Sequence, residues 1–145
     1  MGQPVGQLLP GWTPRQLPTA PTLQGIYCRL ERLSVDRHAE QLFSADRHDV
    51  DGSSWTYLPY GPFADPASYR AWVNEVSNAD DFLFYAVISV DSATPVPGPV
   101  GVLSLMRADP AAGSIEVGHV HYSPLLQRQR AATRCSIRAD ASRFR

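Results

Sequence analysis

Glu116, His119 and His121 fall on one short β-rich stretch, Ser114 to Tyr122, and their side chains can exchange protons near neutral pH. With a period of two, Glu116 shares a face with Gly118, Val120 and Tyr122, and the two histidines take the opposite face. A carboxylate on a strand face can act as a general base. Its plainer role is as cross-strand partner of an arginine such as Arg107. His-x-His on a strand is a metal-ligand pattern, but no third ligand is evident nearby, so no metal is assigned. Downstream, Gln127, Arg128, Gln129, Arg130, Ala131, Ala132 and Thr133 read as the start of a helix near Leu126. Amides at a helix start are unpaired and attract anions, and Arg128, Arg130 and Arg134 add positive charge. The alternative is a solvated basic helix start.

Other chemistry-bearing types are sparse. Trp55, Tyr57, Tyr60 and Phe63 either wall a groove or form a satellite core. Cys28 and Cys135 make no disulfide framework. Cys28 reads as a small buried hydrophobe, whereas the arginines beside Cys135 would lower its thiol pKa. No Ser-His-Asp order, phosphate-binding glycine loop or zinc spacing occurs.

These residues need a scaffold, and the pattern provides one. Five prolines make residues 1–24 an irregular arm. Gly25–Leu33 is β-rich, and Ser34 can cap a helix from Val35 to about Ala45. Asp49–Phe63 is rich in turn formers and aromatics. Asp65-Pro66 opens a second helix to about Val76. Phe82–Val90 is an apolar strand, Asp91–Pro99 a proline-rich loop, Val100–Arg107 a strand, and Ser114–Tyr122 another after the turn Asp109–Gly113. Short connections favour an antiparallel meander, in an α/β or α+β domain with a mainly antiparallel sheet and two helices.

A chain of 145 residues is one domain in length and buries roughly 70% of its unfolded surface. Net charge is −1, and all 13 basic residues are arginine. The longest apolar run, Phe82–Ile88, is far short of the ~20 residues of a membrane helix. The N-terminus lacks the pattern of a secretory signal. These features exclude membrane and disulfide-scaffold classes and point to a cytoplasmic protein.

Three segments, Arg29–Phe43, Trp55–Phe63 and Ile115–Pro124, resemble in order and spacing the GCN5-related N-acetyltransferases, particularly the branch of ribosomal-protein N-terminal acetyltransferases. The likeness covers roughly residues 25–133. It implies an acyl-CoA N-acyltransferase fold, acetyl-CoA as cosubstrate and a primary amine, of a protein N-terminus or a small molecule, as acceptor. It further implies Glu116 as catalytic base, the strand end Val120, His121 and Tyr122 alongside the pantetheine arm, and Gln127–Thr133 as the pyrophosphate loop. Gln127 and Ala132 match that loop's first and last positions, and Arg130 stands where the family has glycine.

From Arg128 onward there are six arginines and one acid, against seven arginines and 13 acids before it. Helical periodicity fades at the same point. Residues 25–134 therefore read as a partial acetyltransferase domain, and 135–145 as an atypical basic tail from a frameshift or truncation, with little or no turnover expected. The rival reading is a non-catalytic fragment or partner-binding module. Basic residues clustered only in the last 18 positions, with Phe144 the sole aromatic there, make a nucleic-acid partner the weakest version of it, and a homodimer is possible but not indicated.

Overall fold

A computed structural model of the chain describes Gly2, residues 6–91 and residues 97–141. Residues 92–96 of the expected loop and the last four residues of the basic tail lie outside the described residues. Five strands form one antiparallel sheet in sequence order: β1 (Thr22–Gln24), β2 (Cys28–Arg32), β3 (Phe82–Ser89), β4 (Gly98–Asp109) and β5 (Ser114–Tyr122). Helices α1 (Val35–Asp46) and α2 (Pro66–Ser77) join β2 to β3, and α3 (Arg130–Ala141) follows β5. This is the mixed α/β architecture expected from the pattern, with a third helix.

Alternation along the strands sorts the core into two layers. Phe84, Ala86, Ile88 and Val102 pack with Leu42 of α1, Tyr69, Trp72 and Val73 of α2, and Trp55. On the other face, Leu30, Tyr85, Val87, Leu103 and Leu105 pack with Leu126 and with Ala131 and Cys135 of α3. The sheet is thus covered on both sides, which accounts for the near-continuous burial of β3 and β4.

Three boundaries differ from the sequence reading. A strand, β1, lies inside the arm that the prolines mark as irregular. It pairs with β2 through a turn in which the Gly25 amide donates to the Cys28 carbonyl at 2.8 Å. Three residues give no alternation to detect. The helix expected near Leu126 begins at Arg130 instead. Ser123 O accepts from both Leu126 N and Gln127 N, closing a turn, and Arg128 then takes a left-handed φ of 61° that a helix cannot continue through. Finally, α3 runs unbroken from residue 130 to 141, across the point where periodicity fades. Cys135 faces the core, where its hydrogen bond to Cys28 and then burial raise its thiol pKa, opposite to the lowering its arginine neighbours imply.

The two helix starts on the same face are built differently. Asp65 accepts from Ser68 N at 2.8 Å, a side-chain cap backed by Pro66 at the first helical position. Ser34 makes no side-chain cap; its amide donates to His38 Nδ1 at 3.1 Å. Asp65→Ala is therefore expected to cost about 1 kcal/mol and Ser34→Ala a small fraction of that, measured by urea unfolding.

Candidate functional site

One extra residue in β5 organises the site. Met106 pairs with Glu116 and Ser104 with Gly118, but Val102 pairs with His121, so three steps on β5 match two on β4. The bulge centres on His119, whose φ is 49°. Simple alternation puts the histidines opposite Glu116. The bulge instead carries His121 onto the face of Glu116, Met106 and Val102, and sends Tyr122 to the α3 side.

Both histidines end in an aromatic wall. His121 is 1% exposed and stacks on Trp55 with ring centres 3.6 Å apart. Its Nε2 lies 2.8 Å from Ser54 Oγ, and Ser54 Oγ donates to Asp49. Because the serine proton is used on Asp49, its oxygen accepts from His121, which fixes the Nε2–H tautomer. The bare Nδ1 then faces Asp46 Oδ1 at 3.6 Å. Burial, with Asp49 nearby, raises the Asp46 pKa to about 7, and burial lowers that of His121 to about 4. Between those values both groups are neutral, so this contact is not an ion pair there. Among the described residues, neither carboxyl oxygen of Asp46 nor Tyr69 OH has a hydrogen bond of good geometry, but the phenol lies close enough to Asp46 to act on its ionisation.

His119 stacks flat on Tyr60, with its Nδ1 2.9 Å from the phenol oxygen, and meets the ring of Phe82 at 5.1 Å. Burial lowers its pKa; Arg107 lowers it further and Glu116 opposes the change. Glu116 itself is half exposed and held by Arg107 Nη1 at 2.8 Å, the plainer role foreseen for it. Of the two jobs weighed for the aromatic segment, the packing shows the core: Trp55, Tyr60 and Phe63 pack on Trp72 of α2, whereas Tyr57 is 98% exposed.

After β5 the chain turns at the strand's end. Val120 is partly exposed, and Gln127 Nε2 donates to Tyr122 O at 2.8 Å. Arg128 and Thr133 are exposed, Gln129 is half-buried, and Ala131 is fully buried under α3. Gln129 N donates to Leu126 O, and Ala132 N to Gln129 O. Arg130 does not point at an anion site. Its guanidinium binds the buried Asp91 carboxylate at 3.0 and 3.3 Å and lies 4.5 Å from the Tyr27 ring centre. Of the three arginines expected to add positive charge at this turn, Arg128 and Arg134 are left exposed. Sequence reasoning missed Asp46, Asp49 and Ser54, which reach His121 only through the fold; Ser54 sits in a turn-rich stretch whose composition resembles any loop.

The antiparallel sheet, with its bulged last strand leading through a turn into a helix, matches the acyl-CoA N-acyltransferase fold of the solved structures the chain resembles. No family model matches the chain, and no curated protein does. Among solved structures, it is similar to a GCN5-related N-acetyltransferase from Brucella melitensis, at 37% identity and a TM-score of 0.82 over 91% of this chain and 58% of that one. It is also similar to a probable acetyltransferase of the GNAT family from Chromobacterium violaceum, at 31% identity and a TM-score of 0.79, covering 97% of this chain and 68% of that one. A GNAT-family acetyltransferase from Bacillus anthracis, 16% identical with a TM-score of 0.57 over 81% of this chain and 63% of that one, shares the fold alone. The chain belongs to the GCN5-related N-acetyltransferase family and spans 58% of the length of its Brucella relative. No helix among the described residues is long and apolar enough to cross a membrane.

The buried pair gives opposite pH dependences. Asp46, with its folded pKa raised to about 7, loses stability as pH rises from its unfolded value toward 7. His121, depressed to about 4, loses stability as pH falls from 6.5 to 4. Each slope approaches roughly 1.4 kcal/mol per pH unit, so in the native chain they largely cancel between those limits. Relative to wild type, Asp46→Asn is expected to gain stability as pH rises to 7, and His121→Asn to lose it over the same range. Urea unfolding at pH 4.5, 5.5 and 7 checks both; parallel curves for all three proteins would refute the assignment.

Proposed function

We propose that the chain carries the cofactor half of an acetyl-CoA-dependent N-acetyltransferase, acting on the primary amine of a protein N-terminus or a small molecule. The observation that carries this reading is the bulged edge of β5 running into the turn before α3. β5 has β4 on one side and no strand on the other among the described residues, so its outer edge near Val120 is where the pantetheine arm would lie alongside the strand. The α3 start, with Arg128 and Arg134 exposed, fits an anionic pyrophosphate. The bound cosubstrate supplies a thioester that an amine attacks directly. Glu116, once released by Arg107, takes one proton from the ammonium, directly or through water; the free amine then forms the amide bond as the C–S bond breaks, and the thiolate leaves with the amine's second surplus proton, while the aromatic wall keeps the reacting face dry.

The resemblance of Arg29–Phe43 and Trp55–Phe63 supports the ribosomal-protein N-terminal acetyltransferase branch. The charge change after residue 127 supports the reading of an altered C-terminal segment, and with Glu116 engaged by Arg107 the turnover of this chain is expected to be low. The cytoplasm, where acetyl-CoA and nascent amines meet, is the compartment this activity fits.

Calorimetric titration with acetyl-CoA tests the core of the reading. Saturable binding is expected, weakened about tenfold by Arg128→Ala through loss of a charge-assisted phosphate contact. Glu116→Gln should leave binding intact and reduce any amine-dependent thiol release by about a hundredfold. No saturable binding by the native chain would overturn the assignment.

A further inference from the structure

The N-terminal arm is not idle chain. The Trp12 ring lies on Gly113, where a Cβ would come within 2.3 Å of it, and its indole N–H donates to Ala111 O at 2.7 Å. Arg15 N donates to Pro110 O at 2.9 Å, and the Arg15 guanidinium caps the Trp12 ring at 4.7 Å. These contacts strap the arm across the β4–β5 turn. They leave Leu17 as one wall of a cleft of about 430 Å³, completed by Asp80, Asp81, Phe82, Met106 and Arg107.

The cleft opens beside the reacting face. Met106 is the cross-strand neighbour of Glu116, and Phe82 is that of Met106 and touches the His119 ring. Arg107, the basic member, is neutralised by Glu116. Asp80 and Asp81 have no ion-pair partner among the described residues. The remaining character is an apolar floor and wall beneath two uncompensated carboxylates. That combination complements a cation on an alkyl stem, whose methylene groups lie on Phe82, Met106 and Leu17 while the ammonium meets the aspartates.

We infer that the cleft between the arm, the start of β3 and the end of β4 is a binding site for an alkylammonium group, with Asp80 and Asp81 recognising the cation. Its identity as the acceptor subsite rests on the acetyl-transfer reading; the binding itself does not. An acceptor with a protonated amine would be gathered here and delivered to Glu116 along the same face. An acceptor bearing an anionic group near its amine would be refused by the same carboxylates.

The chain has two methionines, Met1 and Met106, so methyl-labelled methionine gives the cleft its own NMR signal. Titration of the full chain with n-butylammonium is expected to move the Met106 methyl saturably, and 1-butanol at equal concentration is expected to leave it in place. The double substitution Asp80→Asn, Asp81→Asn should weaken the ammonium response at least tenfold. On the unmodified chain, raising sodium chloride from 20 to 500 mM should weaken it severalfold, because exposed carboxylates are screened. Trp12→Ala, which unfastens the strap, should weaken it as well. Equal response to the alcohol, or insensitivity to both the asparagines and salt, would overturn the proposal. Acetyl-CoA titrated into the same sample separates the two readings: failure to bind it while Met106 still answers n-butylammonium would remove the acetyltransferase assignment and leave the cleft.

Discussion

A single inserted residue in β5 governs the rest of this molecule's arrangement. Without the bulge at His119, a nine-residue strand would alternate strictly, and His121 would project among the aliphatic groups beneath α3. With it, the imidazole is laid against Trp55, which draws the aromatic segment between α1 and α2 down onto the sheet. The same irregularity interrupts pairing with β4 where the family's cofactor edge begins. Packing of the helical layer and shaping of the edge are therefore one event in the backbone. A local change of register at this point would disturb both.

Burial explains why the polar groups in this layer carry so little charge. Asp46, His121, Tyr60 and Tyr69 are each pushed toward the neutral form by desolvation. Charge is kept at the rim, in pairs such as Arg107–Glu116 and Arg130–Asp91. The second pair has a structural purpose. Arg130, in the place of the family's glycine, ties the first turn of α3 to the end of β3 and stacks on Tyr27. A residue that looks like a phosphate ligand by charge is spent on anchoring the helix whose amides face outward.

Much of the fold is legible in the sequence because its signals are local. Asp65-Pro66 announces α2, the apolar run from Phe82 announces β3, and Ser114–Tyr122 has the bounds the pattern gives. What resists reading is set by the third dimension or by a single dihedral angle. β1 is too short for periodicity and exists because β2 offers it an edge. The start of α3 depends on Arg128 adopting a left-handed conformation that its residue type does not favour. The facing of the site histidines depends on a bulge that no residue type marks, since His119 is not a glycine. The family resemblance points to β5 and the turn after it, but does not say that Glu116 is paired with Arg107 or that Arg130 is tied to Asp91.

The two thiols have a practical meaning. Cys28 and Cys135 are the only cysteines, both fully enclosed, and Cys135 is held in the protonated form by burial and by its neighbour. Disulfide reagents therefore meet a surface without a thiol while the chain is folded. A colorimetric thiol assay on the folded chain starts from a flat background, and a slow rise in it reports the lifting of α3 from the sheet. The two cysteines are a built-in clock for unfolding.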